Sequence, residues 1–132
     1  DYCMKRILFV LVVPMLFLSF SYQEMSEMST LMRKMLTFLK VEKEKIALNE
    51  AAQAYPTEFL AIKSAKITEG KELSENHKMM LDSFFISLDQ YYQPAVTVDR
   101  KVVYNNMINK CLTCHEQECP GPIPAIKKQK AP

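Results

Sequence analysis

Glycine is almost missing from this chain, with only Gly70 and Gly121 among 132 residues. The long stretches between prolines carry their apolar residues at helical rather than alternating spacing, so the scarcity of glycine goes with an all-α protein and excludes a sheet as the main architecture. A dominant charge is missing too. The 17 Lys+Arg stand against 15 Asp+Glu, and basic residues do not interleave with aromatics, so there is no nucleic acid signature. No carboxylate pair is set for acid–base work, no Ser-His-Asp set occurs, and no distal His or Arg of peroxidase type can be placed. The chain reads as a non-enzyme.

A long apolar run is also lacking. The stretch Ile7 to Leu18 falls short of the roughly 20 apolar residues a spanning helix needs, and Pro14 interrupts it. With Lys5-Arg6 before it and the small residues Ser19 and Ser21 after it, the stretch predicts a secretory signal cleaved after Ser21. No cysteine follows that would mark a lipoprotein. Asp1, Tyr2 and Cys3 precede Met4, the expected initiator. Residues 1–21 are therefore read as an upstream extension plus signal peptide, and residues 22–132 as one small exported, periplasmic domain.

What stands out is Cys111-Leu112-Thr113-Cys114-His115. This Cys-x-x-Cys-His pentad is the local pattern on which haem c is covalently mounted. Two thiols three residues apart on a helix can each add to a vinyl group of one porphyrin. His115 lies on the same face, one turn after Cys111, where its imidazole can take the iron. Two other chemistries use related spacings. A thioredoxin-type dithiol expects the pair at a helix N-terminus after a strand, whereas this pair closes a helical pattern. A zinc site could recruit Cys119 as a further ligand. If haem takes the first two sulfurs, Cys119 is left as a buried inert thiol, an intermolecular disulfide or a further bond near the cofactor.

Four amphipathic helices are predicted. The first starts near Glu24 to Ser29 and runs to about Ala47, with Met25, Met28, Met32, Met35 and Leu39 on one face and Arg33, Lys34, Lys40, Lys43 and Glu44 on the wet one. A second begins at Pro56, carries Phe59, Leu60 and Ile62 inward and fades around Ile67 to Gly70. A third spans about Ser74 to Tyr92 and buries Met80, Leu81, Phe84, Phe85, Leu88 and Tyr92, with Pro94 ending it. Asp99 or Thr97 caps a fourth, whose Val103, Tyr104, Met107, Ile108 and Cys111 lead into the pentad. Short connections between such helices imply an up-down-up-down four-helix bundle with the cofactor held between facing helices. Pro120-Gly121-Pro122-Ile123-Pro124 stops the last helix, and Lys127-Lys128-Gln129-Lys130 is read as a solvated tail or a docking patch for an anionic redox partner. His77 is read as solvated, with bis-His ligation as its alternative. Tyr91, Tyr92 and Tyr104 are read as aromatics at the bundle edge.

With the pentad near the end of the last helix, the chain resembles the cytochromes c-prime and their relatives. More narrowly, Leu31-Met32-Arg33-Lys34-Met35 and Cys111 to His115 followed by Cys119 to Lys128 resemble a subgroup of exported bundle cytochromes common in Bacteroidetes. The resemblance implies one haem c bound by two thioethers to Cys111 and Cys114, with His115 as proximal iron ligand. It implies loading by the cytochrome c maturation machinery and a homodimer paired through the first helices. It places Met32 on the distal side of the iron, with Met28 and Met35 as neighbours one turn away. Where that family usually carries Arg or Lys four residues after the haem His, this chain has Cys119. A Met thioether on the iron suits one-electron transfer between periplasmic redox proteins, whereas an iron left five-coordinate suits a nitric oxide or carbon monoxide scavenger or sensor. Nine methionines in the chain make a Met-rich helix face ordinary core packing as well.

Overall fold

The structure, a computed structural model, describes residues 24–93 and 98–132. The secretory signal expected in residues 1–21, and the helix-ending Pro94 and alternative cap Thr97, lie outside the described residues. Among those described there is no strand, and no helix is long and apolar enough to cross a membrane.

Helix α1 spans Glu27–Ala47 and starts where a hydroxyl is available: the Ser26 side chain accepts the Ser29 backbone N–H at 3.2 Å. Its stripe Met35, Phe38 and Leu39 is buried. Helix α2 spans His77–Tyr92, and helix α3 spans Arg100–Glu118. Asp99 caps α3 by accepting the Lys101 N–H at 2.8 Å. These two pack side by side along their length, whereas α1 packs most closely on the segment after Pro56.

That segment departs from the expected second α-helix. Thr57–Lys63 is a 3-10 helix, whose three residues per turn line up Phe59 and Ile62 inward and leave Leu60 in solvent. With only two inward residues before Ser64, there is no apolar stripe for an α-helix to bury. The rest of the connection is tied to the start of α1. Met28 N–H donates to the Lys66 carbonyl at 3.1 Å, and Lys66 N–H donates to the Glu27 carboxylate at 2.9 Å. Gly70, at φ +75°, supplies the left-handed turn that brings Lys71 back toward α3.

Helix α3 ends at Glu118, before the proline cluster, as expected. The cluster then does more than stop a helix. It opens a short helix α4, Ile123–Lys127, with Pro124 in the first turn where its missing N–H costs nothing. Ile126 and Ala131 are buried. The Tyr104 hydroxyl reaches the Leu39 carbonyl at 2.8 Å and the Gln129 carbonyl at 3.0 Å. The Asn105 amide holds Ala131 by both its N–H and its carbonyl. The lysines of residues 127–130 are exposed, as a solvated stretch expects, while the backbone at Gln129 and Ala131 is docked on the core.

Candidate functional site

The pentad occupies the closing turns of α3, with Cys111, Cys114 and His115 on one face by the i, i+3, i+4 spacing. Cys114 is buried, while Cys111 and His115 are half-buried. Burial, helped by Cys114, pushes the Cys111 thiol up to about 12. Burial and then the nearby Glu118 raise Cys114 as well. Both therefore stay neutral thiols at physiological pH. Their place near a helix C-terminus adds no stabilisation for a thiolate.

His115 is oriented by the chain that follows it. Its Nδ1 lies 2.9 Å from the Cys119 carbonyl oxygen. A carbonyl can only accept, so Nδ1 carries the proton and Nε2 keeps its lone pair for a metal. The Cys119 N–H in turn donates to the His115 carbonyl at 3.1 Å. Pro120 follows at once and prevents the helix from running on. Sequence reasoning considered only the sulfur of Cys119, whereas its backbone is what fixes the imidazole. Its Sγ lies 3.9 Å from Lys71 Nζ.

A cavity of about 280 Å3 opens beside these residues, just below the roughly 300–1,000 Å3 typical of cofactor pockets. Met28, Met32 and Leu36 of α1 line one side, and Cys114, His115 and Cys119 another. Ile67 and Leu73 of the connection and Ile126 of α4 complete the apolar wall. A second cavity of about 50 Å3 adjoins it and reaches Cys111, Met35, Met80 and Phe84. Met32, Leu36, Cys114 and His115 line both. Of the three first-helix methionines singled out by sequence, Met28 reaches only the larger cavity and Met35 only the smaller, while Met32 reaches both. Met25 is 52% exposed. The structure thus brings Met32, Cys114 and His115 to one cavity, with Cys111 in the smaller one that adjoins it.

The reading of His77 as solvated is corrected. This residue is 8% exposed, lines the larger cavity, and its Nδ1 has no hydrogen-bond partner. The signal was in the spacing: His77, Met80, Phe84 and Tyr91 share the inward stripe of α2. The same register buries Tyr91 at 1% exposure, and Tyr104 is fully buried, so neither is an edge aromatic; the expected Tyr92 is only half-buried. Beside the cavity, Glu118 accepts the Ser74 N–H at 3.0 Å and the Ser74 hydroxyl, and this bonding holds its carboxyl below the usual range.

Away from the cavity lies a polar cluster that sequence reasoning did not find. Glu42 is fully buried on the apolar stripe of α1. It accepts the Tyr91 hydroxyl at 2.6 Å, the Gln53 N–H at 3.1 Å and the Arg100 guanidinium at 3.1 Å. Burial, followed by the Glu42 hydrogen bond, raises the Tyr91 phenol well above its ordinary range. Glu42 falls four residues after Phe38 and three after Leu39, on the inward stripe, where a carboxylate can stay only if it is paired.

Among the described residues, no three His, Cys, Asp or Glu side chains converge as a metal-chelating group. The chain matches no protein-family model, no curated protein and no solved structure.

Proposed function

We propose that this chain is an exported, periplasmic c-type cytochrome that passes single electrons between redox partner proteins. One observation carries the reading: the His115 imidazole is held by the Cys119 carbonyl in the tautomer that leaves Nε2 available, one turn after Cys111 and next to Cys114. Cys111 and Cys114 would hold a haem by two thioethers, and His115 would bind its iron. A haem so bound supplies one iron centre that cycles between ferric and ferrous states. The residues present fit such a group, because the lining combines an apolar wall with charged and polar groups, the thiols are neutral and one imidazole nitrogen is uncommitted.

Neutral, raised thiols are what a dithiol–disulfide exchanger avoids, since that chemistry needs a depressed thiol. Zinc needs about four converging donors, and the described residues do not gather three. Met32, lining both cavities, is proposed as the distal iron ligand, a role that excludes small exogenous ligands and favours electron transfer. We read α1, α2 and α3 together with the reduced 3-10 segment as a four-helix bundle of the up-down-up-down kind. A second reading, a five-coordinate gas-binding protein, is favoured by the hydrocarbon side chains of Leu36 and Ile67 beside Met32 in the larger cavity, which suit a neutral diatomic.

Pyridine haemochrome analysis of protein made with the maturation machinery tests the first step: one covalent haem per chain is expected, lost in Cys111→Ala/Cys114→Ala. Optical spectra then separate the two readings. A sulfur-to-iron charge-transfer band that disappears in Met32→Ala supports the shuttle. Prompt carbon monoxide binding by the ferrous wild type supports gas binding.

A further inference from the structure

Three donor groups on three different segments line the larger cavity and are not used by the ligand set above. Arg33 comes from α1, Lys71 from the connection, and His77 from the first turn of α2. Among the described residues neither Arg33 nor Lys71 forms an ion pair; the described pairs are Lys34–Glu58, Lys63–Asp82 and Arg100–Glu42. His77 is 8% exposed, with a buried Nδ1 that no protein group satisfies. Leaving a buried imidazole nitrogen unpaired costs about 1–3 kcal/mol, so the group calls for a partner from outside the chain. Of the two carboxylates at this cavity, Glu118 is bonded to Ser74 and also lies near His77, and Glu72 is exposed, as Arg33 and Lys71 are.

These donors also sit at the appropriate edge. Cys111 reaches only the smaller cavity, together with Met80 and Phe84, whereas Arg33, Lys71 and His77 reach only the larger. A porphyrin carries its two vinyl-bearing rings on one side and its two carboxylate-bearing rings on the other. Anchoring at Cys111 and Cys114 therefore turns the carboxylates away from the smaller cavity.

Resting on the haem reading, we propose that Arg33, Lys71 and His77 form the carboxylate-receiving edge of the site, binding the two propionates and fixing which way round the macrocycle lies. Arg33 supplies a planar fork suited to a carboxylate, Lys71 a mobile point charge, and His77 a buried N–H donor. Donors on the propionates draw negative charge away from the iron and favour the ferrous state.

Spectroelectrochemistry on the haem-loaded full chain tests this. The midpoint potential is expected to fall in Arg33→Gln, Lys71→Gln and His77→Phe, and to fall furthest in the triple variant. His77→Gln, which keeps a donor, should retain the wild-type value. Lys101→Gln, the same charge change at the far end of α3, should not move it. Haem content by pyridine haemochrome should equal wild type throughout. Unchanged potentials in all three single variants of loaded protein would overturn the proposal while leaving the cytochrome reading intact. A low-spin to high-spin change in His77→Phe would also overturn it, by making His77 an iron ligand. A wild-type chain without haem would remove both.

Discussion

The two ends of this molecule treat buried polar groups differently. The Glu42 carboxylate is saturated: it accepts from Tyr91, Gln53 and Arg100, and Arg100 also donates to the Tyr91 hydroxyl at 2.5 Å and to the Glu50 carbonyl, so that only the neighbouring Tyr92 hydroxyl is buried there without a partner. Around the cavity, His77 Nδ1 has none, and His115 has only one nitrogen engaged. The saturated carboxylate joins α1, α2 and α3 through charge-assisted bonds, whereas the imidazole nitrogens at the cavity are left with hydrogen-bonding capacity to spare. On the proposed reading, the contrast separates a part of the chain that specifies the fold from a part open to a ligand.

Removing Glu42 breaks the contrast most severely. Glu42→Ala strands the Tyr91 hydroxyl and the Arg100 guanidinium and should cost about 3–5 kcal/mol in urea denaturation, the range for splitting a buried pair. Tyr91→Phe removes one donor but leaves Arg100 to hold the carboxylate, and about 1–3 kcal/mol is expected. The cavity end should respond with the opposite sign. In chain made without the maturation machinery, His77→Phe replaces an unpaired nitrogen by a larger apolar ring that the adjoining cavity can take up, and should raise stability by up to about 1 kcal/mol. A loss there as large as that of Tyr91→Phe would mean that both ends serve the fold alike.

The smallest effect concerns Ser74 and Glu118. A carboxyl held low in the folded state contributes stability that is full above its unfolded value, about 4.3 for Glu, and is lost as pH falls through its folded value. Ser74→Ala should therefore be less stable than wild type at pH 7, and the two should converge on acidification below about pH 4. Thermal unfolding at both pH values checks this.

The sequence reveals the features that rest on local chemistry. Asp99 marks a helix start by its oxygen acceptor, and the methionine and leucine spacing marks the inner face of α1. Features that depend on distant partners are hidden. Glu42 reads as one more charge among Lys40, Lys43 and Glu44 until Arg100, far along the chain, is brought to it. His77 sits between Asn76 and Lys78, polar neighbours that disguise its membership of the stripe continued by Met80, Phe84 and Tyr91. The 3-10 helix after Pro56 differs from an α-helix by a fraction of a residue per turn, which two inward side chains cannot report. The role of Cys119 is played by its carbonyl, and side-chain identity carries no trace of it.

The clasp made by Tyr104 and Asn105 on Gln129 and Ala131 sets an order of events. Because Ile126 lines the larger cavity and Ala131 is held by α3 itself, the core cannot seal until the chain beyond the prolines has docked. Until then Cys114, buried in the finished fold, stays uncovered.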